Sequence, residues 1–546
     1  MMIMRHSMLL YAVLAGLGLH AQLLEWAGQI EGTYHSPVQS LCVDPTGDLL
    51  CTGFFQGTTD FDLGPGVDPL LAPNAEQYIY VAKYQPNGEL QWAEKFGSGT
   101  PSTTYGTNIA TDDSGAIFVT GNFCGVGDFD PGPGSLMLDA VGYDGFNYPD
   151  VFAMKLDGSG GLIWAVQLGD SSSDYSRDMI LDHDGNVILA INIADTVDMD
   201  PGPGIDILYN QYFQEVVLVK LDPNGALLWY RDLGGSEAYP SMSLTSDALG
   251  NIWVATNGHL RKYDPLGNQL LDEPLASITN DAAVDMMGNV YLTGSFTGTA
   301  DMDPGSGQFN LSAVGWYDLF CMKLNADGDF QWAVQLGSSA QTFAVDVEIE
   351  GSGDILISGG YEASLDLDPG PGVFMASYQG GREALIIRLD SAGLFQEAMT
   401  LSGAGDQFLF GCAPAGPSQW IAYGGFEESF DVDAGPGVVT MTCDTYSDGL
   451  IARYASGSSY IPVAPVEGAM VVYPTPTSGL ISVTGLPLEA REVILVNAMG
   501  EELDRRTLGQ PSSLIEMDLS AHPDGPYWIR VTTSNATFTE PVILVR

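Results

Sequence analysis

The sequence predicts an all-β chain: a seven-bladed β-propeller whose N-terminal strand closes the last blade, followed by a small Ig-like β-sandwich. Three observations carry that expectation. Glycine and proline are dense, 67 and 31 in 546 residues, and the stretches between them are rich in Val, Ile, Thr, Tyr, Phe and Trp, the composition of many short strands joined by tight turns. A unit of about 65 residues recurs along most of the chain. The last unit stops short of a fourth strand, while a lone fourth-strand pattern stands near the N-terminus.

The clearest part of each unit is a strand, a turn and a strand. Copies read YVAKYQPNGELQWAEKFG from Tyr80, FAMKLDGSGGLIWAVQLG from Phe152 and FCMKLNADGDFQWAVQLG from Phe320, with degenerate versions from Val217, His259 and Leu385 and a truncated LIARY from Leu450. One basic residue keeps its register throughout, as Lys83, Lys155, Lys220, Lys262, Lys323, Arg388 and Arg453. Ahead of each lies a second hairpin, such as SLCVDPTGDLLCTGFF from Ser40 and NIATDDSGAIFVTGNF from Asn108. Two hairpins make four antiparallel strands, which is one propeller blade. LLEWAGQIEG from Leu23 carries the missing fourth-strand pattern of the unit ending at Arg453, so the two fragments are expected to pair and remove the free edges at the seam. Fourth-strand tryptophans recur at Trp26, Trp92, Trp164, Trp229 and Trp332, replaced by Leu271 in the fourth unit and Glu397 in the sixth. Alternation places these rings on one face of the blade, packed against the next one; an aromatic platform for sugars is the competing reading.

Six units carry an acidic turn between the hairpins: DFDLGPG from Asp60, DFDPGPG from Asp128, DMDPGPG from Asp198, DMDPGSG from Asp301, DLDPGPG from Asp366 and DVDAGPG from Asp431. Residues i and i+2 of an extended segment share a face. The pairs Asp60 and Asp62, Asp128 and Asp130, Asp198 and Asp200, Asp301 and Asp303, Asp366 and Asp368, and Asp431 and Asp433 are therefore candidate calcium ligands. The alternative is an Asx-type turn whose carboxylates accept backbone N–H groups, and two carboxylates are far short of the six to eight oxygens calcium takes. The fourth unit lacks this turn and runs from WVATNG almost directly into HLRKYD, which leaves a notch on one side of the ring.

Lys and Arg number 18 against 69 Asp and Glu, a net charge of −51. Such a surplus repels phosphate backbones and anionic lipid, which excludes nucleic acid as a partner. Residues 1–21 read as a signal peptide: one Arg in the first residues, the apolar run Leu9 to Leu19 and a small residue at Ala21 fit secretory cleavage. No other apolar run reaches the length of a transmembrane segment. Cys42, Cys51, Cys124, Cys321, Cys412 and Cys443 show neither a CxxC pair nor regular spacing, against zinc. Cys42 and Cys51 flank the turn DPTGD, where either a disulfide or two buried free thiols fit.

After residues 22–456, the expected propeller, the small-residue and proline stretch 457–468 reads as a linker. Residues 469–546 then hold a new strand series. VVYPTPTSGLISV from Val471, ILVNAMGEEL from Ile494, IEMDLSAHPDGPYWIRV from Ile515 and the closing VILVR resemble the type A C-terminal sorting domain of the type IX secretion system of Bacteroidetes. Tyr473, Pro474, Pro476, Gly479, Gly500, Asp518, Leu519, Ser520, Gly525 and Tyr527 fall on that pattern, while Thr475 and the terminal Arg546 depart mildly from it. The resemblance implies the type IX machinery as a partner, passage through the periplasm and outer membrane, and release or anchoring at the outer cell surface. The repeats resemble SBBP-type propeller repeats, a resemblance that implies no ligand.

Three functions fit these features. The first is a binding or adhesion module with an unknown extracellular ligand, glycan or protein. The second is a glycan-active hydrolase with its site in the propeller channel, and the third a structural part of the surface coat. No GxSxG, HExxH or metal-spaced His/Cys set appears, so no catalytic residue is assigned. A lone Arg or Glu breaking the repeat inside the channel would favour the enzyme.

Overall fold

The structure, a computed structural model, describes residues 22–73, 76–97, 104–140, 148–209, 215–234, 242–435 and 437–456, and shorter stretches between 471 and 544. The expected signal peptide and linker, and Pro474, Pro476, Gly479 and Gly500 of the sorting pattern, lie outside the described residues. The described residues separate into two compact units, 22–456 and 471–544.

In the first unit the chain forms seven antiparallel sheets among the described residues, five of four strands and two in which the same four strands are extended to six by a short hairpin. The first comprises Val38–Val43, Leu49–Gln56, Gln77–Tyr84 and Leu90–Phe96, and five more follow in chain order with the same strand sequence. The first strand of each sheet lies beside that of the next, and the first strand of the seventh returns beside that of the first. One apolar cluster fills each of the seven junctions. At the seam, Ile30, Ile421 and Ile451 meet Leu49, Phe55 and Tyr84. Both faces of every sheet are thus covered, and second strands such as Ile117–Phe123 and Val187–Ile193 are buried at every residue. Each fully buried Leu or Phe in these junctions contributes about 1.5–3 kcal/mol of transfer free energy. The fold is all-β and propeller-like.

Closure uses the strand that the sequence singled out. Gln22–Gly32 is the fourth strand of the seventh sheet, antiparallel to Asp448–Ser456, from Gln22 opposite Ser456 to Ile30 opposite Gly449. Its last residues cross the seam, with Glu31 opposite Asp60 and Gly32 opposite Thr59 in the hairpin of the first sheet.

The disulfide expected as one option for Cys42 and Cys51 does not form; both thiols are free. The register pairs Cys42 with Leu50 and Leu41 with Cys51, so the two side chains leave opposite faces of the hairpin. Cys51 enters the junction with the seventh sheet and Cys42 packs against the junction with the second. Burial pushes the Cys42 thiol up to about 12.

The C-terminal unit contains a sheet of Val471–Tyr473, Leu480–Thr484 and Leu514–Asp518, and a second of Glu492–Asn497, Glu502–Thr507, Gly525–Thr532 and Thr537–Leu544. Val483, Ile515 and Met517 of one sheet share a core with Val493, Leu495, Tyr527 and Ile529 of the other. Tyr473, Asp518 and Gly525 of the sorting pattern thus lie on strands, and Tyr527 is buried between the sheets.

Candidate functional site

The residues repeated in every unit are consumed by the scaffold. Each register lysine or arginine stands directly across from the fourth-strand tryptophan or its replacement, as in Lys83 with Trp92 and Lys220 with Trp229. It fastens the turn between the first two strands of its own sheet: Lys83 Nζ lies 2.9 Å from Asp44, Lys220 Nζ 2.8 Å from Asp182 and Lys262 Nζ 3.2 Å from Asp247. Burial opposes the Asp44 charge, but hydrogen bonds from Thr46 and Lys83 hold its carboxyl below the usual range. Lys220 and Lys262 also donate to Pro265 O and Ala326 O of the next sheet. The indoles point the same way: Trp26 donates to Pro86 O at 3.1 Å and Trp164 to Pro223 O at 3.0 Å. The Trp92 ring lies where a Cβ at Gly160 would approach it to 3.2 Å, and Gly160 itself has φ +87°, a position only glycine fills without strain. The tryptophans therefore lock the sheets that carry them to the next.

The acidic turns close on themselves. Asp60 Oδ1 accepts the N–H groups of Asp62 and Asp68 at 3.1 and 2.9 Å, and Asp62 Oδ1 accepts that of Gly64 at 2.7 Å. The same three bonds recur for Asp128 and Asp130, Asp198 and Asp200, Asp301 and Asp303, Asp366 and Asp368, and Asp431 and Asp433. The intervening Phe61, Phe129, Met199, Met302, Leu367 and Val432 are buried. A Cβ at Gly66 would lie 1.9 Å from Asp62 Oδ2, which explains the final glycine of the motif. Several hairpins also bond to the sheet before them: Gly97 N donates to Asp128 O at 2.8 Å, and Ser402 pairs with Asp431. What remains at each turn for a calcium ion is chiefly the two Oδ2 atoms. Among the described residues no three His, Cys, Asp or Glu side chains gather as a metal group.

The fourth sheet lacks the hairpin, and Ile252–Thr256 joins His259–Tyr263 through Asn257 and Gly258 alone. The cavity described below lies one sheet further on.

The seven first strands line the inner wall of the ring, tied by a belt of side-chain-to-backbone bonds. Leu244 N donates to Asp178 Oδ2 at 2.6 Å, Ala282 N to Ser243 Oγ at 3.0 Å, Val347 N to Asp281 Oδ2 at 2.9 Å and Cys412 N to Asp346 Oδ2 at 2.9 Å. Each acceptor stands four residues before the turn acid of its sheet, in the register of Ser40 and Asn108. Glu348 breaks the pattern: its register holds Cys42, Ala110, Ile180, Thr245, Ala283 and Ala413 elsewhere. Burial, and then the neighbouring Asp281 charge, push Asp178 up to about 7 and Glu348 up to about 8. Burial with the charges of Asp281 and Glu348 raises Asp346 well above the carboxylate range, and its carboxyl hydrogen-bonds that of Asp281.

At the end of the wall where the first strands begin, a cavity of about 300 Å³ opens between the fifth and sixth sheets, lined by Ile278, Asn280, Ser295, Tyr317, Gln341, Phe343 and Arg382. Arg382 immediately precedes the third strand of the sixth sheet, where the sequence of the other six sheets has Glu76, Pro149, Gln214, Gly258, Tyr317 and Ser447. Its guanidinium carbon lies 5.1 Å from the Phe343 ring centre and 5.3 Å from that of Phe408. Its Nη2 is 3.5 Å from Glu362, and its buried Nε has no hydrogen-bond partner. Sequence reasoning singled out neither Arg382 nor Glu348. The available signal was their singularity, each occurring once in seven aligned units.

The architecture defines an all-β, propeller-like protein with a separate C-terminal two-sheet unit. Residues 471–545 match the model of the secretion system C-terminal sorting domain. An uncharacterised WD repeat-containing protein of Acanthamoeba polyphaga mimivirus is 22% identical over 367 residues, 62% of this chain; the match spans about a quarter (25%) of that relative's length. Among solved structures, the Pan2 WD40 domain of Neurospora crassa is similar with a TM-score of 0.34 at 10% identity, covering 65% of this chain and 90% of that one. A Bacteroides caccae protein of unknown function is similar with a TM-score of 0.32 at 11% identity, covering 64% and 93%. No helix among the described residues is long and apolar enough to cross a membrane.

Proposed function

We infer that the chain is a binding module carried to the cell exterior by its C-terminal sorting domain. In this reading residues 22–456 are a seven-bladed propeller of the SBBP type, residues 469–546 an Ig-like sorting sandwich, and the type IX machinery the export partner. The supporting observation is a division of labour. Residues repeated in the units hold the scaffold together, whereas Arg382, which occurs once in its register, stands in a cavity at the end of the wall where the first strands begin. A rigid ring that carries a non-repeated cavity suits recognition of a ligand. In the same reading the acidic hairpins are structural straps, and any calcium at their Oδ2 atoms adds to a loop already closed by N–H groups.

The lone Glu348, and Arg382 as the lone arginine of its register, favour one second reading, a glycan hydrolase. A carboxyl raised to about 8 beside other acids is the state of a general acid at neutral pH. A glycan array probed with the full chain separates the two. Capture without release of reducing ends supports the binding module, and release of reducing sugar that is lost in Glu348→Gln supports the hydrolase. Removing residues 471–546 is expected to hold the chain in the periplasm; continued appearance outside the cell would overturn the export reading.

A further inference from the structure

Resting on the binding reading above, we propose that the Arg382 cavity takes a carboxylated monosaccharide unit, an acidic sugar. The chain carries 69 acidic residues, yet the lining of this cavity contains one cation and no carboxylate. The guanidinium is packed near Phe343 and Phe408, so its faces are occupied by rings and its edges are left for hydrogen bonding. One edge meets Glu362 only at 3.5 Å, and Nε is a buried donor with no acceptor. An unmet buried donor is costly, and a carboxylate is the acceptor that matches the fork of an arginine in two parallel bonds.

The rest of the wall defines what carries that carboxylate. Asn280 and Gln341 supply amides and Ser295 a hydroxyl, groups that recognise sugar hydroxyls. Tyr317 and Phe343 supply ring faces and Ile278 an apolar floor, against which the C–H face of a pyranose packs. Asn280 Nδ2 already donates to Ala344 O at 2.7 Å, which fixes its amide and turns the carbonyl oxygen away as a free acceptor. A volume of about 300 Å³ accommodates one sugar ring.

The test is calorimetric titration of the full chain with D-glucuronate and D-galacturonate against D-glucose and D-galactose. The acids are expected to bind and the neutral sugars to bind at least about tenfold more weakly, the difference a bidentate charged pair supplies. Arg382→Gln is expected to abolish that preference while melting at the wild-type temperature. Should it misfold, Glu362→Gln is the second variant: it releases the competing carboxylate and is expected to tighten acid binding. Neutral sugars binding as well as the acids would overturn the acidic-sugar assignment and leave the binding-module reading intact. Binding of the acids unchanged by both substitutions would also overturn it, as would the absence of heat with any of the four sugars. Failure of the full chain to capture any ligand on a broad array would instead count against the binding module itself.

Discussion

Arg388 Nη1 sits 3.1 Å from Glu397 Oε1, directly across from it in the sixth sheet, at the register where five other sheets pair a basic residue with a tryptophan. The guanidinium also reaches Glu350 at 2.7 Å and Asp354 at 2.8 Å and donates to Ser456 Oγ of the seventh sheet at 2.9 Å. Arg453 stands across from Trp26 in the seventh sheet, so arginine at this register does not itself demand the glutamate; Glu397 adds a third carboxylate around Arg388. Arg388→Ala, which strands two buried carboxylates, is expected to cost about 3–5 kcal/mol. Arg388→Lys combined with Glu397→Trp restores the pair of the other sheets and is expected to cost under about 1.5 kcal/mol. Urea denaturation of the two variants checks the contrast.

The glycine that ends each acidic turn makes a second prediction. In Gly66→Ala the new Cβ would lie 1.9 Å from Asp62 Oδ2, forcing the carboxylate off Gly64 N. The expected loss is about 1–2 kcal/mol. In an Asp62→Ala background the clash is gone, so the same glycine change is expected to cost nearly nothing. Additive losses in a double-mutant cycle would show that the contact is not the reason for the glycine.

Calcium is tested at the same turns. With their Oδ1 atoms already accepting backbone N–H groups, millimolar calcium is expected to leave the melting temperature of the full chain unchanged. A rise of several degrees that disappears in Asp60→Asn and Asp62→Asn would show that the turns bind the ion, through the stabilisation any ligand of the folded state gives.

The channel acids set a pH dependence. Asp178 and Glu348 have folded-state values of about 7 and about 8, above the roughly 4 of an unfolded carboxyl. The folded state therefore binds more protons between these limits. Stability is full below about pH 4 for these two groups and is lost as pH rises through 7 and 8. The limiting slope is about 1.4 kcal/mol per pH unit for each group, about 2.7 for the two, and screening by channel water lowers it. Denaturant midpoints measured from pH 5 to 8.5 are expected to fall, and Glu348→Gln to flatten the upper part of that curve.

Closure gives the fifth prediction. Deleting residues 22–32 leaves Asp448–Ser456 as an unpaired edge and removes Ile30 from the seam. The expected result is a large drop in melting temperature with self-association through the exposed strand, seen by light scattering.

What the sequence made legible was whatever recurs. The strand pairs, the seam and the scaffold role of Trp26 and Trp164 follow from patterns repeated often enough to fix their register. The second strands were less transparent, because Ile117–Phe123 is buried on both faces and so shows no alternation. The Cys42 and Cys51 pairing depended on a register one residue finer than a turn motif defines. Arg382 and Glu348 were hidden for the opposite reason. A residue that occurs once has no period, and only the ring reveals that Arg382 faces a cavity also walled by Tyr317 of the neighbouring sheet.

The seam also has a mechanical side. Because Gln22 lies opposite Ser456, the two ends of the ring emerge side by side, and a pull between them loads the final pair of strands like a zipper. The rungs then break one at a time instead of sharing the load. A ring that is thermodynamically sealed is thus easy to open from its own ends, while a force applied across the other sheets meets four-stranded ladders bound by tryptophan locks.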